Sequence, residues 1–535
     1  MLFIRHLQAR PVLMLLCALM FLFIAADGLL LVRLHPSSIH IFRQSDCLAY
    51  TLRYYRDDSG FFSPACFNLI GKDGRVVSEF PILYYISAKL CQLLGFHFWV
   101  VRGLTVLCYA IGLVYLFLCI RLWIKDVIVS LFPIIILATS PCFFFYAVNY
   151  LPNVPAISLS FAGLYYMLRY GYTRSILHLI AATTLFTLTV LLKPTDGGIV
   201  WLAFITSMHT ISPAGSYRPR WPVWVSVSII SAAALSWYLF VHYYNLRYDN
   251  DINLQGIYPI WHMTGREILA TLWYRIIKLG PQVFHHTALL LLLAGMLVFY
   301  IIRWSQLHPF LRRFTLMLIL LSLAYSVLWF KAFYVHDYYQ LLFSIPAVFL
   351  CITVSEYYCR IAVMHLPPYA SHVVSLTLIT CMVGSIYYNQ YIQQCRQADL
   401  GYPDIDVIYE AGAHLSRLGL CPTDRVLSVP DGSPNISLAA LGLCGYTSDL
   451  FNPGRFDVHY AVANGVRYMV LLDSSYIHHP AYAPYTTRLV GRYRHITVYD
   501  LWQAPAVMQN LAAGRYDTAT PAGKMFTQWR TYRGM

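Results

Sequence analysis

Apolar runs long enough to cross a bilayer recur from Val12 to about residue 390, and no other feature constrains the chain as much. About 20 helical residues span the hydrocarbon core, so runs of this length predict membrane helices. They do not resemble the alternating ten-residue strands of a barrel. Composition agrees: 58% of the 535 residues are hydrophobic and only 12% are charged, against roughly 25% charged in soluble domains. The pattern predicts about eleven spans, with 10–13 allowed: near 12–32, 98–121, 127–148, 154–171, 176–193, 196–211, 221–243, 283–303, 314–332, 339–358 and 369–388. The first run is too long for a signal peptide core and lacks a small-residue cleavage site, so it is expected to remain as a span. Ile82–Phe96 is apolar but short, and is expected to lie at the interface or re-enter rather than cross.

Charge orients the chain. With the N-terminus inside, the cytoplasmic segments hold Arg5, Arg10, Arg121, Lys125, Arg169, Arg174, Arg218, Arg220, Arg303, Arg312, Arg313 and Arg360, against only Asp126 and Glu356. This is the positive-inside bias, and a full crossing at 82–96 would invert it. The same bias accounts for the net charge of +14 without nucleic acid as a partner. The thirteen cysteines include no CxxC and no zinc spacing; Cys47 and Cys66 share one loop and could form a disulfide if it is extracytoplasmic.

Three regions are then expected outside: the loop 33–98, the stretch 244–281 ending in "REILATLWYRIIKLG", and the region from about 391. The chain thus divides into a membrane domain, 1–390, and a small α/β domain, 391–535. In the latter, "DVIYEAGAHLSRLG" reads as an amphipathic helix, "DRVLSVP" and "VRYMVLLD" as buried strands, "HYAVANG" as a short helix and "RYRHITVYDLW" as an edge strand.

Polar groups gather on this outer side. The first loop carries "RQSD" (Arg43–Asp46) and "SEFPILYY", and is longer than a connection requires. "NYLPNVP", "LLKPTDGG" and "KAFYVHDYYQ" add Asn153, Lys193, Asp196, His336, Asp337 and Tyr338 at span junctions. Taken singly, each fits a snorkelling lysine or a capping aspartate. Together they place ionisable groups at one depth, where their cost favours a functional role. Cations suit a lipid phosphate, and a carboxylate suits removal of a hydroxyl proton. No P-loop, GxGxxG or GxSxG occurs, so nucleotide chemistry and serine hydrolysis lack support.

The ordered set "FRQSD", "SEFPI", "VVRG", "NYLPNVPA", "LLKPT" and "HDYY" resembles the integral-membrane GT-C glycosyltransferases, in the branch of protein O-mannosyltransferases and aminoarabinose transferases. The resemblance covers roughly residues 10–345. It implies a polyprenyl-phosphate sugar donor, inversion, and reaction on the extracytoplasmic face of a bacterial inner membrane. It makes Asp46 the catalytic base or acceptor-orienting group, and Arg43, Lys193 and Arg102 contacts for the lipid phosphate. Glu79 becomes a supporting acid with a divalent metal left open, and His336, Asp337 and Tyr338 line the donor cavity. Relatives often carry an acid where this chain has Asn153; the resemblance keeps that position in the substrate site and leaves open whether Asp46 works without that partner, Asp196 or Asp337 replaces it, the acceptor differs or activity is weakened.

The acceptor stays open among lipid, glycan and protein. A protein that binds or flips a polyprenyl lipid without catalysis is the competing expectation. A secondary transporter fits less well, because "LLKPTDGG" has no matching broken helix in a second half.

Overall fold

The computed structural model describes residues 10–208, 221–250, 257–274, 280–365, 368–399, 401–448 and 457–512. Arg5, Arg218 and Arg220, the end of the 196–211 run and part of "REILATLWYRIIKLG" lie outside them.

The chain is a multi-pass helical membrane protein with a C-terminal sheet unit. Among the described residues, Phe98–Ile120, Trp221–Arg247, Pro309–Leu328 and Asp337–Ile361 are each long and apolar enough to cross, and the bent pair Val127–Ala138 and Pro141–Ala147 makes a fifth. The other expected runs also coincide with helices, among them Pro11–Ala25, Asn153–Thr173, Ile176–Leu192, Gly198–Ser207, Thr287–Ile302 and Pro368–Ala398. The bend of 73° follows from Pro133 within the first arm and Pro141 opening the second. It carries Tyr146 into the core, where residues 141–152 are all buried.

The short apolar segment forms helix Ile82–Leu94. Thirteen residues rise about 20 Å, short of the hydrocarbon thickness, and its end leaves Leu93 and Leu94 exposed. The polar stretch before it is more ordered than a loop: residues Ile41–Asp57 form one helix packed beside Ile82–Leu94.

The C-terminal unit is a five-stranded sheet of order β2-β1-β3-β5-β4, with β1 Arg425–Val429, β2 Cys444–Thr447, β3 Tyr468–Leu471, β4 Leu489–Tyr493 and β5 Ile496–Asp500. β2, β1 and β3 run parallel; β5 and β4 are antiparallel additions. The amphipathic helix is present as Ile405–Arg417, and the short helix as Val458–Ala463. "RYRHITVYDLW" is not one edge strand: Arg494, at φ 52°, turns it into a hairpin, and β5 is buried on both faces. The sequence pattern missed β2, a four-residue strand.

The outer edge of β2 is not bare. Asn68 of the first loop pairs with Gly445 as a parallel bridge, with Leu69 N–H donating to Gly445 O at 2.8 Å and Gly445 N–H to Phe67 O at 3.0 Å. The loop therefore extends the sheet and protects its edge. The expected option of a Cys47–Cys66 disulfide is not taken up. Both thiols are free and buried; Cys47 Sγ lies 3.1 Å from the Tyr84 hydroxyl oxygen, and Cys66 turns to Asn68 O.

Candidate functional site

Helix Ile41–Asp57 starts at His40, whose φ of 55° reverses the chain. Spacings of three and four then put Arg43, Asp46 and Tyr50 on one face. Arg43 forms an ion pair with Glu79 and lies 3.9 Å from Asp46. Glu79 Oε1 also accepts from the Tyr84 hydroxyl at 2.5 Å. Burial would lift the Glu79 carboxyl, but Arg43 and then Lys193 hold it below the ordinary glutamate range. For Asp46 the balance is reversed: burial pushes its carboxyl up, and Arg43 and a hydrogen bond from Asn435 oppose this only in part. Two carboxylates separated by one guanidinium thus differ in character, one held ionised and one moved toward the range useful to a base.

Two cavities reach these residues, and a third lies beyond a shared wall. The first, about 1330 Å³, is bordered by Arg43, His336, Asp337, Arg396 and Tyr402. The second, about 540 Å³, takes in Glu79, Lys193, Trp237 and Tyr339, and runs along helices Ile176–Leu192 and Trp221–Arg247. The third, about 590 Å³, is almost wholly apolar and is bordered by Phe330, Phe333 and Gln340. The segment 329–343 walls all three. Asp46 opens on a small separate pocket that it shares with Arg43, Tyr50, Asn68 and Asn435. Arg43 borders both this pocket and the first cavity, and its partner Glu79 borders the second.

The expected residues divide by this geometry. Arg43, Asp46, Glu79, Lys193, His336 and Asp337 all border these spaces. Asp337 is held by His40 at 3.0 Å, Arg396 at 3.4 Å and the Tyr146 hydroxyl at 2.5 Å, so its lone pairs serve the local network. Tyr338 is buried behind His336, with ring centroids 5.0 Å apart. Arg102 borders none of these cavities. It is 3% exposed and donates to Val148 O and His35 O, both at 2.9 Å, above the Tyr150 ring. It ties the first loop to the helices.

Asn153 is buried and donates to Asp196 at 2.5 Å. The amide therefore satisfies a buried carboxylate. Asn153→Asp, which restores the acid frequent in the resembling family, would set two carboxylates together with no donor between them. It is expected to cost on the order of 1–3 kcal/mol, read as a lowered thermal midpoint in detergent.

Glu79, the one candidate metal ligand, is engaged by Arg43 and Tyr84, and no group of three His, Cys, Asp or Glu residues with metal-binding geometry occurs among the described residues. The sequence reading missed His40, Arg396, Tyr84 and Asn435. His40 and Tyr84 flank "FRQSD" and "SEFPI" and could have been found there; Arg396 and Asn435 carry no local signal.

The family described as dolichyl-phosphate-mannose-protein mannosyltransferase matches residues 78–238, which hold Glu79, Arg102, Asn153 and Lys193. A search of curated proteins finds no match. Among solved structures, the chain is similar to ArnT from Cupriavidus metallidurans in the apo state, at 15% identity and TM-score 0.56, covering 90% of this chain and 97% of that one. ArnT bound to undecaprenyl phosphate gives 13% identity and TM-score 0.57 over the same shares. The Archaeoglobus fulgidus oligosaccharyltransferase in the apo form gives 12% and 0.51, covering 86% of this chain and 70% of that one. The expected GT-C fold is thereby established.

Proposed function

We propose that this chain is a membrane glycosyltransferase that moves a sugar from a polyprenyl phosphate to an extracytoplasmic acceptor with inversion. In this reading it lies in a bacterial inner membrane, with the N-terminus cytoplasmic and residues 391–535 outside. The observation that carries the reading is the position of Arg43, which borders the pocket of Asp46 while its ion-pair partner Glu79 borders the cavity of Lys193. The Arg43–Glu79 ion pair thus links the pocket of Asp46 to the cavity of Lys193. The matched family and the undecaprenyl-phosphate complex of ArnT support this donor class.

The lipid lies along helices Ile176–Leu192 and Trp221–Arg247, with its phosphate near Lys193. An acceptor hydroxyl gives its proton to Asp46 while its oxygen attacks the anomeric carbon. The bond from that carbon to the phosphate oxygen breaks on the far side, and Lys193 and Arg43 stabilise the departing lipid phosphate.

The direct test supplies purified full-length protein with a polyprenyl-phosphate sugar and an extract of envelope acceptors. Release of polyprenyl phosphate with sugar transfer is expected; binding without release would favour a lipid carrier. Lys193→Met keeps the side-chain length but removes the charge. A charge-assisted contact is worth about 1.5–3 kcal/mol, so donor KM should rise about tenfold or more. An unchanged KM would remove Lys193 from the phosphate site.

A further inference from the structure

We infer that Asn435, in the loop after β1, is a positioning residue that orients Asp46 and makes the C-terminal unit part of the active site; this rests on the transfer reaction proposed above. The Asn435 Nδ2 group donates to Asp46 Oδ1 at 2.8 Å across 389 residues of chain. Asn435 is 4% exposed, and its own Oδ1 accepts from Asn68 N–H at 3.1 Å. The amide is held at both ends and cannot flip without breaking the second bond.

The loop is built to hold that amide. In sheets with parallel strands, sites gather at the carboxyl ends of the strands near the point where strand order reverses. Here β1 is the middle one of the three parallel strands, with β2 on one side and β3 on the other, and Asn435 follows its carboxyl end. Asp431 fixes the loop, accepting from the Ser433 and Ser437 hydroxyls at 2.7 and 2.5 Å and from both backbone N–H groups. Asn68 Nδ2 adds a bond to Pro434 O at 2.8 Å.

One carboxylate oxygen of Asp46 is thus engaged by Asn435. The other is left facing Arg43 at 3.9 Å, free to take a proton from an acceptor. Arg43 and Cys47 from its own helix, Glu79 and Cys66 from the first loop, Tyr50 one turn on and Asp431 from the sheet unit are the titratable groups around Asp46. Among them only Arg43 is a cation, so the Asn435 donor is the second group that favours the ionised form.

The test is the pH dependence of kcat in full-length Asn435→Asp and Asn435→Ala. Asn435→Asp keeps the acceptor for Asn68 N–H and puts a second carboxylate in place of the donor, whereas Asn435→Ala removes the donor without adding charge. Both variants should lower kcat at neutral pH by about tenfold and move the acid limb of the profile to higher pH, Asn435→Asp the further, with donor KM unchanged within about twofold. A wild-type profile in a folded Asn435→Asp protein would overturn the inference. Asp46→Asn separates the two claims: if it is inactive while the Asn435 variants are normal, only this inference fails, whereas activity in Asp46→Asn removes the base on which it rests.

Discussion

Asp46→Asn is expected to lower sugar transfer by about 10²–10⁴-fold while leaving the folded protein and its lipid binding intact. The magnitude is what a positioned general base contributes. The substitution is clean for a geometric reason. The new side chain keeps an oxygen where Asp46 Oδ1 accepts from Asn435 at 2.8 Å, so the contact with the C-terminal unit survives. The 3.9 Å approach to Arg43 is long for an ion pair, and Arg43 keeps its closer partner Glu79. What is lost is the capacity to bind a proton. Transfer should be followed by product mass with matched donor binding. Turnover within a few-fold of wild type would show that the acceptor arrives already ionised, or that another group removes its proton, and the base role would be withdrawn.

The helical part of the fold was legible because membrane helices write their length directly into the sequence. Each expected run coincides with a helix, down to the short Ile82–Leu94. The break at residues 139–140 needed geometry: Pro133 and Pro141 mark a bend, but not that the second arm turns inward to bring Tyr146 to Asp337. The site was partly legible for a similar reason. Arg43, Asp46, Glu79 and Lys193 stand in short polar stretches beside apolar segments, where a charge is conspicuous. Arg102 was conspicuous for the same reason, yet its guanidinium caps backbone carbonyls, a difference that composition cannot express. Asn435 was invisible because it is an ordinary loop asparagine until the chain brings it back across 389 positions. The hairpin at Arg494 was hidden because no Asn-Gly or Asp-Gly pair marks the turn.

Gly445→Val is expected to detach the sheet unit from the first loop and abolish transfer by a route distinct from any loss of chemistry. A Cβ at Gly445 would lie 1.8 Å from Val426 O, far inside contact distance, and the obstacle is backbone of the neighbouring strand rather than a movable side chain. Gly445 cannot yield toward the other side either. Its N–H and C=O are both bonded to the first loop, at Phe67 and Leu69, while its register partner in β1 is Val426. The residue is thus held between two strands, and a side chain must separate it from one of them. Losing β1 pairing would open the sheet. Losing the loop would expose the β2 edge and withdraw Asn68 from its bond to Pro434 O, which in turn frees the loop carrying Asn435. Substitutions that force buried backbone apart belong to the costly class, at upwards of about 3 kcal/mol. The expected result is a thermal midpoint several degrees lower, proteolytic cleavage between helix Pro368–Ala398 and helix Ile405–Arg417, and loss of transfer with donor binding retained by the helical part. A wild-type midpoint and cleavage pattern would mean that the sheet unit is seated by its other contacts, His35 with Asp406 at 2.6 Å and Arg56 with Gly442 O, and that the strand pairing at Gly445 is dispensable. The contrast with Asn435→Asp is then informative: one variant changes where the unit sits, the other the donor and the charge that it presents to Asp46.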